Sequence, residues 1–196
     1  MSTSIPKVVV LAGPNGAGKT TAAQKLLQDL AGLQHFVNAD WIARGLSGFN
    51  PDATAIEAGR VMLARLKQLA ALRASFAFET TLASRTFAPW IEGLCKLGYE
   101  SALIFLWLPS AEHAIARVAD RVRTGGHHVP DETVRRRYIA GLRNFFNLYQ
   151  PLAVDWRFYD NSGSLEPRLL AAGSGIIETI VADENTWTSI KTTYSR

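Results

Sequence analysis

The sequence predicts an α/β fold, a parallel sheet flanked by helices with a small lid over one end. Three observations carry this. Short apolar runs alternate with segments of helical periodicity along most of the chain, and such alternation implies right-handed crossovers and a parallel sheet. The run "SALIFLWLP" (101–109) is apolar almost without a break, as a strand covered on both faces must be. The first apolar run leads straight into a glycine-rich loop that ends in Lys19 and Thr20.

Taken in order, Val8–Ala12 reads as a buried strand. Lys19–Leu30 follows as a helix, with Ala22, Ala23, Leu26, Leu27 and Leu30 at helical spacing. "HFVNAD" is a short second strand. Residues 53–73 form a long helix whose apolar side carries Ala58, Val61, Met62, Leu66, Leu69 and Leu72. "SFAFET" is the third strand. Phe87–Leu97 is a helix with Pro89 in its first turn and Gly98 as its stop. After the 101–109 strand, Ser110 caps a helix reaching about Arg123. "TGGHHVPDE" is a loop, Asp131–Phe146 is helical, and "WRFYDN" is the last core strand. Beyond Gly163 the pattern weakens to one strand (175–181) and a terminal helix. No repeat, low-complexity tract or linker breaks the chain, so a single domain over 1–196 is expected, with a core of about 5–163.

Composition narrows the setting. The chain has 196 residues, 47% of them hydrophobic, and one cysteine, Cys95. No intramolecular disulfide can form, and a full core is available without one. The N-terminal apolar run is too short for a signal peptide, and no run approaches the length of a membrane span. A soluble cytoplasmic protein is expected. The net charge of +4 is concentrated. Arginines 117, 121, 123, 135, 136, 137 and 143 face only Asp120, Asp131 and Glu132 in that stretch, an excess equal to that of the whole chain. One local arginine cluster suits a phosphate site and argues against a nucleic-acid surface.

Gly13-Pro14-Asn15-Gly16-Ala17-Gly18-Lys19-Thr20 matches G-x-x-x-x-G-K-[ST], the P-loop. It sits between a strand and a helix, the context that motif requires. Backbone N–H groups from Gly13 through Thr21 cradle phosphates, and the helix adds its positive end. Lys19 reaches the outer phosphates, and the Thr20 hydroxyl can ligate Mg²⁺.

Three further places bear on the fate of the γ-phosphate. Asp40 ends the second strand, where it can take a proton from an attacking hydroxyl or help position Mg²⁺, or cap a helix starting at Trp41. Glu79, Thr80 and Thr81 end the third strand. They can bind substrate hydroxyls or metal-bound water, or simply mark a strand end reaching solvent, and Ser84 and Arg85 extend either reading. Arg117 and Arg121 share a helix face at i, i+4, where their repulsion favours a bound anion. Arg117 can instead pair with Asp120. The "TGGHHVP" loop has two glycines to move and His127 and His128 to face a ligand, as a lid does. Arg135, Arg136 and Arg137 point about 100° apart, so at most two can face one site. Adjacent histidines with no partner at zinc spacing make poor metal ligands.

Together "GPNGAGKTT", "NADWIARGL", "FAFETTLASRTF", "RVADRVRTGGHHVPDETVRRRY" and "FYDNSG" resemble the zeta-toxin-like P-loop kinases, over about Val8 to Gly163. The resemblance implies a nucleoside-kinase-type fold, ATP with Mg²⁺ as phosphoryl donor, and in the toxins a UDP-N-acetylsugar phosphorylated on the sugar's 3′-hydroxyl. It places Lys19 on the phosphates and Thr20 on Mg²⁺. Asp40 becomes the general base, Glu79 and Thr81 substrate contacts with Arg85 beside them, and Asn161 a neighbour of the adenine. Lid-side Arg117, Arg121, His128 and Arg136 would contact the transferring phosphoryl group. A toxin role would bring an antitoxin partner. Two departures stand out. The lid reads "GGHHVP", so Arg121 or one of Arg136 and Arg137 must supply the lid's charge, and insertions shaping a sugar-nucleotide pocket are not evident. The rival readings are a kinase of another hydroxyl (nucleoside, antibiotic, polynucleotide end) and an ATP-binding regulatory ATPase.

Overall fold

The structure is a computed structural model that describes residues 5–28, 33–47, 51–126, 128–163 and 166–195. Its elements are β1 (Lys7–Ala12), α1 (Lys19–Gln28), β2 (His35–Val37), α2 (Ala39–Leu46), α3 (Ala55–Ala71), β3 (Phe76–Thr80), α4 (Phe87–Lys96), β4 (Glu100–Trp107), α5 (Ala111–Arg123), α6 (Asp131–Asn144), β5 (Asp155–Asp160), β6 (Arg168–Ser174), β7 (Ile177–Val181) and α7 (Glu184–Tyr194). A 3₁₀ turn, Pro51–Thr54, leads into α3, and α6 runs on into a π turn, Phe145–Tyr149. The expected end of the first helix at Leu30, and His127 in the lid, lie outside the described residues.

The strands form one sheet in the order β2-β3-β1-β4-β5-β6-β7. β1 is buried between β3 and β4, and the first five strands are parallel. Because side chains alternate across a strand, β1 feeds two cores. Val9 and Leu11 pack with Ala23 and Leu27 of α1. Val8, Val10 and Ala12 face the larger core, with Phe78, Phe105 and Leu66. The chain leaves β1 for β2 on one side and later returns to β4 on the other. Ligands in such sheets bind beyond the carboxyl ends of the strands at this reversal, and Lys19, Asp40 and Glu79 all lie there.

The sheet departs from the expected all-parallel form at its far edge. The tail supplies two strands: β6 runs antiparallel to β5, and β7 antiparallel to β6. Gly175, with φ +54°, turns the chain between them. Sequence reading placed this glycine inside a strand. It also passed over β6, because "RLLAAGS" lacks the β-branched residues that mark a strand. Small residues are required there: a Cβ on Gly173 would stand 2.6 Å from the Trp156 ring. Trp156 stacks on Trp187 of α7 at 5.7 Å, tying the terminal helix to the sheet.

Candidate active site

The loop after β1 folds as its glycines allow. Gly13 and Gly16 have φ of +143° and +79°, values rarely open to other residues. A Cβ would also meet the Leu106 carbonyl oxygen at 2.3 Å and the Ala114 carbonyl oxygen at 2.7 Å. The loop is thus wedged between β4 and α5. The Ala17 N–H closes the loop's own turn on the Pro14 carbonyl at 3.2 Å, and the Ala17 side chain is fully buried. Ala17 therefore shapes the loop, and its N–H points inward to that turn.

Lys19 opens α1 with its side chain 7% exposed. Its Nζ donates to the carbonyls of Gly13 (2.9 Å) and Pro14 (3.0 Å) and lies 3.7 Å from Glu79 Oε1. Burial pushes the ammonium pKa below its ordinary value, while Glu79 and Asp40 pull it back up and Arg121 adds to the lowering. The two loop carbonyls and the Glu79 carboxylate offset part of the cost of burying this cation.

Glu79 reaches this point through strand register. It pairs with Leu11 across β3 and β1, which brings the two strand ends side by side. Its Oε2 accepts from Thr20 Oγ1 at 2.8 Å and from Asn38 Nδ2 at 2.7 Å. Asn38 is 3% exposed. Its Oδ1 accepts from the backbone N–H groups of Asp40 (2.8 Å) and Trp41 (3.1 Å), making it the N-cap of α2. Of the two roles the sequence leaves open for Asp40, the cap falls instead to Asn38, a residue the sequence reading does not single out. The available signal was an asparagine directly after an apolar run, which caps as well as aspartate does. With the cap taken, Asp40 sits in the first turn of α2 and lines the cleft.

That cleft has a volume of about 620 Å³. Asn15, Gly16, Gly18, Lys19, Thr20 and Thr21 line it from the loop, Glu79 and Thr81 from the end of β3, and Arg117, Arg121 and Arg137 from the lid side. Ser84, Phe87 and Met62 also line it; Ser84 is a residue the sequence offers beside Thr81, whereas Phe87 and Met62 are not predicted site residues.

Several expected contacts fall elsewhere. Of the three successive arginines, Arg137 faces the cleft, half-buried, with Nη1 3.4 Å from Asn15 Oδ1. Arg136 is exposed and outside the lining, because the helical turn between neighbours rotates it away. Burial and the Arg136 charge lower the Arg137 pKa, and Asp40 raises it. His128 and Arg85 are likewise exposed and outside the lining. Arg117 does not pair with Asp120, which bonds Arg123 instead. The Arg117 guanidinium donates to the carbonyls of Asn161 (2.7 Å), Ser162 (3.0 Å) and Gly163 (2.9 Å), so it holds the loop after β5. Asn161 in turn donates to the Ala17 carbonyl at 2.7 Å. Its side chain buttresses the phosphate loop beside a second hollow of about 510 Å³, lined by Gly18, Thr21, Arg117, Asn161 and Pro167 among others.

The donor set fits Mg²⁺. Thr20 and Glu79 offer hard oxygen ligands already hydrogen-bonded to each other, and Asn38 fixes the carboxylate from behind. Among the described residues no group of three or more His, Cys, Asp or Glu could hold a metal by itself. Among the same residues no helix is long and apolar enough to cross a membrane.

A family profile described as an AAA domain (AAA_33) matches residues 8–141. A protein of Haemophilus influenzae of uncharacterised function is 27% identical over 132 residues, 67% of this chain and 92% of that protein. Among solved structures, a chain of the AvrRxo1-ORF1:-ORF2 complex with ATP superposes with a TM-score of 0.72 at 18% identity. The match covers 99% of this chain but only 65% of that one. The PezAT chromosomal toxin–antitoxin system of Streptococcus pneumoniae gives a TM-score of 0.64 at 15% identity, over 99% of this chain and 80% of that one. The chain therefore shares its fold with these two proteins.

Proposed function

The chain belongs to the AAA-domain family AAA_33, and we propose that it is an ATP-dependent kinase that phosphorylates a hydroxyl group of a small molecule. The observation that carries this reading is the meeting of Lys19, the Thr20–Glu79 pair, Asp40, Arg121 and Arg137 around one cleft. That set contains a phosphate clamp, a metal corner, a free carboxylate and lid cations, the parts phosphoryl transfer uses. The ATP in the AvrRxo1-ORF1:-ORF2 complex supports the choice of donor.

In this mechanism the loop's N–H groups and the N-terminus of α1 hold the β- and γ-phosphates. Lys19 exchanges its loop carbonyls for phosphate oxygens, a stronger, charge-assisted contact. Thr20 and Glu79 would hold Mg²⁺, which would supply positive charge to neutralise the phosphates. The acceptor enters from the side of Thr81 and Ser84, and Asp40 takes the proton of its hydroxyl as the oxygen attacks the γ-phosphorus. Arg121 and Arg137 neutralise the charge spread over the transferring group. The adenine occupies the hollow beside Asn161 and Arg117. A UDP-N-acetylsugar is the proposed acceptor, from the zeta-toxin resemblance, and the PezAT setting supports an antitoxin as the proposed partner.

The test is incubation with γ-labelled ATP, Mg²⁺ and UDP-N-acetylglucosamine, beside Asp40→Asn and a control without acceptor. Label on the sugar nucleotide with wild type alone is the expected result. Label from Asp40→Asn at the normal rate removes Asp40 as the base. ATP hydrolysis without transfer refutes the sugar-nucleotide acceptor and turns the search to other hydroxyls.

A further inference from the structure

One face of α6 spans the cleft. Arg137, Gly141 and Asn144 stand at i, i+4 and i+7, so they share that face. Arg137 meets Asn15 of the phosphate loop. One turn on, Gly141 packs against the β3–α4 loop so closely that a Cβ would lie 2.4 Å from the Thr81 carbonyl oxygen. At the end of the helix Asn144 Nδ2 donates to the carbonyls of Leu82 (2.7 Å) and Ala83 (3.3 Å). Then the helix widens into its π turn, and Tyr149 at the end of that turn donates its hydroxyl to the Ser84 carbonyl at 2.7 Å.

The segment these groups hold is itself irregular. Leu82 is fully buried yet has φ +54°, a conformation a branched aliphatic side chain rarely adopts. Its N–H is taken by Thr80 Oγ1 at 3.1 Å. A left-handed leucine persists only where its surroundings over-determine it, and a π turn is the other backbone irregularity that gathers at functional sites. Here the two meet. The kink turns Thr81, Ala83 and Ser84 into the cleft wall on the side away from the phosphate loop.

We propose that Asn144 and Tyr149 are positioning residues for the phosphoryl acceptor: they hold the β3–α4 loop at a fixed distance from the phosphate loop, so that the acceptor's contacts on that loop meet the γ-phosphate. The inference rests on the kinase reading. Neither residue lines the cleft, so both act through the loop. Their loss changes acceptor binding and leaves ATP binding in place, because the donor side is held separately by Lys19, Asn161 and Arg117.

The experiment measures γ-phosphate transfer to UDP-N-acetylglucosamine and to a panel of nucleoside and sugar hydroxyls by wild type, Asn144→Ala and Tyr149→Phe, with KM determined separately for ATP and acceptor. Asn144→Ala is expected to raise the acceptor KM about tenfold, with the ATP KM within about twofold. Tyr149→Phe loses a single hydroxyl and keeps its ring in the core, so it tests the same idea should Asn144→Ala fold poorly. It is expected to shift acceptor KM in the same direction by a smaller factor. An active wild type with unchanged acceptor KM in both variants, or with ATP and acceptor KM raised equally, overturns the positioning role alone. A wild type that labels no acceptor overturns the kinase reading, and this inference with it.

Discussion

Replacing Asn38 by aspartate separates two tasks that one buried side chain performs. The carboxylate still caps α2, since aspartate and asparagine cap equally well. It can no longer donate to Glu79, and it places a second negative oxygen where the 2.7 Å bond stood. Losing a hydrogen bond to a charged group costs about 1.5–3 kcal/mol. Repulsion between two carboxylates about 3–4 Å apart adds about 4 kcal/mol at an effective dielectric near 20, before relaxation. Allowing for relaxation, we expect Asn38→Asp to lose about 3–5 kcal/mol at pH 7, and Tm to fall by about 6–20 °C for a chain of this size. The loss reverses with acid. The crowded pair has a raised carboxyl pKa in the folded state, so the protein binds a proton more readily folded than unfolded. Its stability relative to wild type is therefore recovered as pH falls and lost as pH rises. Thermal melts of wild type and Asn38→Asp between pH 7 and about 5 provide the assay. Equal Tm values at pH 7, or a gap that does not narrow with acid, would refute the account of Asn38 as the donor that holds Glu79.

Other expectations use different measurements. ATP–Mg²⁺ at about 100 times its Kd should stabilise wild type by about 2.7 kcal/mol and raise Tm by about 5–10 °C. Lys19→Met should show no such rise, and an equal shift in both proteins would remove Lys19 from the phosphate site. Arg137→Ala should lower transfer by about 10³-fold if it neutralises the transition state. Arg136→Ala should change it little, and the reverse order would mean that the other arginine faces the donor. Burial pushes the Tyr149 phenol up to about 12 and raises Tyr138 as well. Both hydroxyls donate to carbonyls, at 2.7 Å each. Their stabilisation is complete below the ordinary phenol value near 10 and is lost as pH rises towards about 12. Alkaline unfolding followed by phenolate absorbance should begin in that window, and Tyr149→Phe should make stability less dependent on pH there.

Much of the site is legible in the chain because it depends on local chemistry. Gly13 to Thr20 specify a phosphate loop through the backbone conformations that glycine permits and the helix that must follow. The apolar run 101–109 has to be a covered strand. Ser110 caps α5 with its own hydroxyl, accepting from the His113 N–H at 3.0 Å. Asp40, Glu79 and Thr81 were marked because they end apolar runs, and parallel strands deliver such ends to one edge.

Distances across the sheet decided the remainder. No spacing in the chain states that Glu79 lies beside Leu11, yet that register joins it to Thr20. Periodicity limits how many of Arg135, Arg136 and Arg137 can face one site, but only the packing of α6 selects Arg137. Arg117 could bind an anion or Asp120, and the structure gives it instead to three carbonyls of the loop after β5. β6 is not legible as a strand because Gly173 and the alanines beside it suit the aromatic rings packed over them. The sequence by itself determined the phosphate loop, the strand ends and the class of fold, since each follows from neighbours a few residues apart. The tertiary structure alone decided which polar groups meet, because hydrogen bonds such as Asn38 to Glu79 and Asn144 to Leu82 join residues separated in the chain by whole elements of structure.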